Sequence, residues 1–280
     1  MNRTLSRCRQ RGFSLVEIVV ASLVGLAALS GALYLYRNQH RSMMVQSEIS
    51  TMRMNGQFTL NETKYSLARA GLGLPPDTRF IAVNKGDLVI KSNPSKKSSP
   101  GQMSQESNSS RTAFRIPEGD IPLFEDKGYA VALAEAGVVE TEILSVIRVS
   151  GSAGLITLAT GKDAFTSSTK IYPMERLRLH RCQGDAGDGP EGDFRMVLEK
   201  PGVPSIPVSS LTLAEGIESI DFRYHMLNKT ETAVLPDNLD ALEQIEIIVK
   251  VRGARAESDG AAEKIPRQTL RAKVNYRRAL

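Results

Sequence analysis

The sequence predicts an α+β protein in which a long N-terminal helix packs on a mostly antiparallel β-sheet domain. The first observation is an apolar run over residues 13–36 that carries a single charge, Glu17. The second is that no proline occurs before Pro75, while apolar residues recur at helical spacing after the run ends. The third is a series of short β-branched segments separated by turn signals from residue 79 onward. A chain of 280 residues is long enough for one sizeable domain and this extra helix.

The helix is predicted over residues 13–70. Its first half is apolar all round and is long enough to cross a bilayer, whereas its second half is amphipathic and suits packing on a domain. Gly71 and Gly73, followed by Pro75, predict the end of the helix.

The β-rich part of the chain is predicted to begin at residue 73 and to extend to residue 280. Residues 91–111 contain eight serines and few apolar side chains, so we expect a mobile loop there. Sequence pattern places strands at residues 79–83, 87–90, 129–134, 138–149, 155–158, 170–178, 194–198, 219–226, 244–251 and 269–276.

The charge balance gives no reason to expect a nucleic-acid partner. Most of the formal charge of +5 comes from four arginines within the first 12 residues, and the rest of the chain has 32 basic against 31 acidic side chains. Aromatic residues make up 5% of the chain and tryptophan is absent, which leaves little for base stacking.

Three kinds of targeting signal are considered for the N-terminal segment. A cleaved secretory signal would be cut near residues 30–32, where small residues occur, and a plain signal anchor would explain the length and the arginine-rich flank. Neither explains Glu17, because a carboxylate inside an apolar span costs about 3 kcal/mol and marks function by default. A third mechanism is a processing signal that uses this charge.

Residues 11–17, with the sequence RGFSLVE, resemble the signal of the type IV pilin and pseudopilin family. The resemblance implies a leader at residues 1–12, cleavage between Gly12 and Phe13 by a prepilin peptidase, and N-methylation of Phe13. It also implies that Glu17 pairs with the N-terminal amine of a neighbouring subunit and so sets register during assembly. The implied location is the inner membrane, with a single span at residues 13–36, an amphipathic helix half at 37–72 and a periplasmic domain at 73–280.

Three C-terminal segments are similar to the PilW and PulJ group of minor pilins, namely residues 213–224, 244–252 and 274–278. This implies a minor pilin that works with other minor and major pilins, and with the inner-membrane assembly platform, to prime or cap a type IV pilus. Two alternatives stay open at this point. One is a J-type minor pseudopilin of a type II secretion system, and the other is a bitopic anchor that displays a β-rich binding domain.

Catalytic signatures are absent from the sequence: it has three histidines and no G-x-S-x-G, P-loop or H-E-x-x-H pattern. We therefore expect no enzyme and no cofactor. His180 and Cys182 lie two residues apart but supply only half a metal site, so we expect a structural role for them. One loop does suit Ca²⁺, because it gathers four carboxylates among glycines: Asp185, Asp188, Glu191 and Asp193.

Overall fold

The computed structural model describes residues 14–75, 78, 81–84, 87–104, 107–125, 127–135, 137–149, 153–161, 165, 169–184, 190–199, 201, 211–236, 239–253 and 267–275. The chain divides into two compact units, Met1–Ser50 and Thr51–Leu280. The predicted cleavage site at Gly12 and Phe13 lies outside the described residues.

One helix, α1, covers Leu15–Ala68, close to the predicted bounds. It ends where predicted: Gly71 and Gly73 adopt positive φ angles of 76° and 70°, which a glycine tolerates without a Cβ clash. Beyond the helix, the amide of Gly71 donates to the carbonyl oxygen of Lys91 at 2.9 Å. The chain is thereby tied to the strand that contains Lys91.

The second half of α1 buries one face. The buried positions are spaced three or four residues apart along the helix, and most of their side chains are small. They are Met52, Gly56, Thr59, Leu60, Thr63, Ser66 and Leu67. A Cβ added at Gly56 would lie 2.5 Å from Leu270 Cδ1 and 3.1 Å from Val251 Cγ1, so the helix meets the sheet very closely there.

The strands are β1 (Ile81–Asn84), β2 (Asp87–Ser92), β3 (Ser99–Pro100), β4 (Gln102–Met103), β5 (Thr112–Pro117), β6 (Tyr129–Ala134), β7 (Gly137–Val149), β8 (Ala153–Leu158), β9 (Lys170–Arg181), β10 (Phe194–Leu198), β11 (Leu211–Ala214), β12 (Ile217–Met226), β13 (Glu231–Thr232), β14 (Leu242–Arg252) and β15 (Arg267–Asn275). Short helical turns occupy Glu118–Asp120 (3-10) and Ile121–Phe124, named α2. A further 3-10 turn covers Leu239–Ala241.

Two antiparallel sheets form from these strands. In the first, the order is β1-β2-β9-β6-β7-β8-β5-β4, with β3 and β10 also pairing with β9, and β11 pairing with β10. In the second, the order is β13-β12-β14-β15. All strand pairs among the described residues are antiparallel, which confirms the predicted α+β class.

The main core lies under the first sheet and α2. Phe114 on β5 meets Phe165 edge-on, with ring centroids 5.1 Å apart, and Ile121 and Phe124 of α2 are at most 1% exposed. Alternating residues of β6 and β8 complete the cluster, including Ala130, Ala132, Ile156 and Leu158. This alternation is what an antiparallel sheet with one buried face requires.

Residues 91–111 hold more ordered contacts than their composition indicated. Lys91 is buried and pairs with Glu140, and the Asn93 side chain donates to the carbonyl oxygens of Gly73 and Lys97 at 3.1 and 2.9 Å. The hydroxyl of buried Ser99 donates to Asp120 at 2.8 Å. Polar contacts thus replace the apolar burial that this segment lacks, and its mobility stays a prediction.

Candidate assembly site at the start of the helix

The first turn of α1 is closed by two hydrogen bonds from backbone to side chain. The Glu17 Oε2 atom accepts from the backbone N–H of Ser14 at 2.9 Å, and the Ser14 hydroxyl oxygen accepts from the N–H of Val16 at 3.3 Å. This is a variant of the capping box, in which the serine before the helix accepts from the second helical residue instead of from the glutamate. Glu17 therefore binds the backbone of its own chain.

The helix that follows this turn is apolar and uncovered. Residues 14–44 are all exposed, from 79% at Leu15 to 49% at Val19 among the large apolar side chains. The most apolar window of α1 has a mean hydropathy of 2.2 and none of it is buried within the chain. By length and composition, this segment can anchor in a membrane, as its sequence predicted.

Comparison with known proteins identifies the same segment. Residues 7–33 match the family described as the prokaryotic N-terminal methylation motif. Among curated proteins and among solved structures, no match was found. The motif, together with the exposed apolar helix, indicates a type IV pilin-like protein, the class whose signal is processed by a prepilin peptidase and whose subunits assemble with other pilins.

The capping role of Glu17 was not predicted from the sequence. The signal for it was present, because Ser14 and Glu17 have the S-x-x-E spacing ahead of an apolar run. The structure thus gives the carboxylate a partner within its own chain, in addition to the partner that the resemblance implies. Substitutions at Glu17 and Ser14 distinguish the importance of these two partners for assembly.

Two of the four calcium candidates lie outside the described residues, namely Asp185 and Asp188. Both described candidates already face arginines: Glu191 Oε1 lies 3.3 Å from Arg181 Nη2, and Asp193 Oδ2 lies 3.5 Å from Arg195 Nη2. Asp193 also accepts from the Thr212 hydroxyl at 3.4 Å. A calcium ion would have to compete with these contacts, and the calcium hypothesis stays a prediction.

His180 contributes to a buried charge network on the first sheet. Its Nδ1 atom lies 2.8 Å from Asp87 Oδ1, and the same carboxylate lies 4.0 Å from Arg178 Nε. Arg178 also pairs with Glu199, which in turn lies 3.1 Å from Arg176 Nε. Removal of one partner from such a network would leave a buried charge unpaired, which is strongly destabilising. We therefore assign His180 a structural role.

The C-terminal sequence places four basic residues close together, at Arg271, Lys273, Arg277 and Arg278, a pattern that predicts a solvated sheet face. Arg271 and Lys273 on β15 are exposed, and Arg271 Nη1 lies 3.6 Å from Glu246 Oε1 on the neighbouring strand. Arg277 and Arg278 lie outside the described residues. An arginine that faces a carboxylate at this distance is partly neutralised, in keeping with a mixed-charge surface.

Proposed function

We propose that the protein is a PilW-like minor pilin that, after removal of residues 1–12, assembles with other minor pilins to prime or cap a type IV pilus. The observation that carries the proposal is a single carboxylate, Glu17, in the first turn of an apolar helix that the chain itself leaves uncovered. Before assembly the helix would be held by the inner membrane, with the β-rich domain in the periplasm.

Assembly would bury the helix against the helices of other subunits. Large apolar side chains over Leu15–Tyr36 are about half or more exposed, and a continuous apolar surface of this extent marks a lipid or protein contact. The second half of α1 adds an exposed stripe on one side, formed by Met54, Phe58 and Tyr65. Because residues four and eleven positions apart share a helix face, these side chains form a stripe that would be a further contact surface.

The charge of Glu17 would set the axial register between neighbouring subunits. A carboxylate in an apolar assembly is favourable only where a cation pairs with it, and breaking such a pair costs about 3–5 kcal/mol. The proposed cation is the N-terminal amine of Phe13 in a neighbouring subunit. Any other axial offset between subunits would leave both charges unpaired.

The fold of the second sheet supports the finer assignment. Most of the first segment that resembles the PilW and PulJ group lies on β12, after two residues at the end of β11, and the second segment lies on β14. Of the third segment, Val274 and Asn275 lie on β15 and residues 276–278 lie outside the described residues. The described parts of the segments on β12, β14 and β15 belong to strands that pair in the order β12-β14-β15. Helix α1 meets this sheet at Gly56, beside Val251 of β14 and Leu270 of β15.

Substitutions at Glu17 separate pairing from capping. Glutamine keeps the acceptor oxygen of the capping box but removes the charge, whereas alanine removes both. We expect Glu17→Gln and Glu17→Ala to be inserted in the membrane and cleaved normally, and both to lose filament incorporation by at least about 100-fold. Incorporation is measured by quantifying the subunit in sheared filaments against the cell fraction.

Ser14→Ala is the matched control, because it removes the other half of the capping box and leaves the charge in place. We expect near-normal incorporation of this variant. Normal incorporation of Glu17→Gln together with loss of Glu17→Ala would show that Glu17 acts by capping the helix. Normal incorporation of both Glu17 variants would refute its role in setting register. A bitopic anchor would show no filament incorporation and no leader removal in the unaltered protein, and a pseudopilin would be recovered with a secretion system instead of a pilus.

A further inference from the structure

Three side chains that can bind metals meet at one end of the second sheet. His225 lies on β12, Glu231 on β13 and Glu246 on β14, and the strand register places His225 opposite Glu231. One ligand atom from each of the three lies within 4.8 Å of the other two. Residues from three adjacent strands are thus brought together although 21 positions separate the first from the last.

The nitrogen of His225 that faces this cluster lacks a hydrogen bond. Its Nε2 atom is buried and has no hydrogen-bond partner among the described residues, and it lies 3.8 Å from Glu246 Oε2. A buried ring nitrogen without a partner is costly and calls for a specific explanation, such as a bound ion. The Glu246 side chain beside it is only 10% exposed.

Two arginines each approach one oxygen of these carboxylates. Arg271 Nη1 approaches Glu246 through Oε1, at 3.6 Å, while Oε2 is the oxygen that faces His225. Arg223 Nη1 approaches Glu231 through Oε1 as well, at 3.1 Å. Each carboxylate can therefore give one oxygen to an arginine and the other to a cation. Such outer contacts orient ligands in metal sites.

We propose that His225, Glu231 and Glu246 form a binding site for a divalent transition metal of the Zn²⁺ type, with water completing the coordination. One imidazole nitrogen and two carboxylates suit this class of ion, whereas Ca²⁺ and Mg²⁺ prefer oxygen ligands alone. Tetrahedral ligands at about 2.0 Å from a metal are about 3.3 Å apart. The three ligand atoms, which lie within 4.8 Å of one another, must therefore move closer together when they bind the ion. Glu231, whose side chain is 45% exposed, is free to make that movement.

The site would join three strands of the second sheet, including the two-residue strand β13. This inference is independent of the role in filament assembly. Its alternative is a metal-free cluster in which protonated His225 pairs with Glu246.

To test the proposal, the full chain in detergent is first stripped of metal with a chelator. Zn²⁺ is then titrated into the protein, and binding is measured by calorimetry. Co²⁺ absorption serves as a second readout of coordination by nitrogen and oxygen. We expect saturable binding of one equivalent, and a loss of affinity of at least about 10-fold in His225→Gln and in Glu231→Gln. Because Glu231 is exposed, its substitution should not disturb the fold, which circular dichroism checks.

Glu218→Gln is the matched control, since Glu218 lies on the same strand as His225 and pairs with Arg267 at 3.5 Å outside the cluster. Its affinity for Zn²⁺ should equal that of the unaltered chain. Absence of saturable binding would overturn the proposal in favour of the metal-free cluster. Binding that survives both His225→Gln and Glu231→Gln would overturn it too, because the ion would then sit elsewhere.

Discussion

The two halves of helix α1 differ in what covers them, although they share one backbone. Over the first half, large apolar side chains such as Leu23, Leu29 and Tyr36 are 58–64% exposed. In the second half, Met52, Leu60 and Leu67 are 4–6% exposed because the sheets of the second unit cover them. The first half is apolar all round and needs lipid or other subunits, whereas the second buries a single face within its own chain.

The glycines of the two halves show the same difference at the level of atoms. A Cβ at Gly25 or Gly31 meets no described atom within 4 Å, whereas one at Gly56 would meet Leu270 Cδ1 at 2.5 Å. Of these three glycines, Gly56 is therefore the one that the packing of the described residues requires.

The largest effect on stability is expected from Gly56→Leu. A leucine at this close approach would have to displace Val251 and Leu270, and overpacking of this kind costs about 3 kcal/mol. Thermal unfolding of the full chain in detergent measures the loss.

Gly31→Leu is the control for that substitution, because it adds the same side chain where space is open. We expect an unchanged or slightly higher unfolding temperature, since leucine favours the helix by somewhat less than about 1 kcal/mol. Equal losses of stability in the two variants would contradict the difference in packing between the two halves of α1.

Alkaline pH should test how fully the second sheet excludes water from the buried side chain of Tyr224. Tyr224 on β12 is 2% exposed, and burial raises its pKa from 10.0 to about 12. The neutral phenol is favoured in the folded state, so its contribution is complete below pH 10 and is lost as the pH rises through about 12. A difference of this size corresponds to about 2–3 kcal/mol.

Tyr224→Phe cannot ionise at this position. We expect its free energy of unfolding to fall less steeply than that of the unaltered chain between pH 10 and 12. Parallel pH profiles for the two proteins would show that Tyr224 is hydrated.

The smallest effect is expected at Thr59 and Thr63, on the buried face of α1. Both side chains are 0% exposed, and neither hydroxyl oxygen has a hydrogen-bond partner within the part of the chain that the structure describes. Valine has the same shape without the hydroxyl, so Thr59→Val should stabilise the chain by about 1 kcal/mol.

Thr112→Val is the matched control for Thr59→Val. Thr112 is equally buried, but its hydroxyl donates to the carbonyl oxygen of Thr160 at 2.7 Å. This substitution should destabilise the chain by about 1 kcal/mol, as judged by chemical unfolding. A loss in both variants would mean that Thr59 has a partner after all.

Sequence reasoning predicted the helix and the long strands well, because these depend on local periodicity. The bounds of β6 and β10 match the predicted residues 129–134 and 194–198, and the glycine stop of α1 was also correct. It missed β5 at Thr112–Pro117, whose apolar residues follow directly on the serine-rich segment and precede a proline. Proline within or beside a run argues against a strand, although β5 tolerates it at its last position.

Contacts between distant residues were beyond prediction. The network of Asp87, Arg178 and Glu199, and the meeting of His225 with Glu246, depend on strand pairing that a single sequence does not specify. The capping box of Ser14 and Glu17 is different, because it is local and its spacing was visible.

The mass of the mature N-terminal peptide, from protein isolated from its native membranes, tests the central claim most directly. The account predicts a start at Phe13 carrying one added methyl group, which would place the uncovered half of α1 in the prepilin pathway. A start at Met1 would indicate an anchor and a start near Leu33 a secreted domain. Either result would contradict the proposed assembly mechanism.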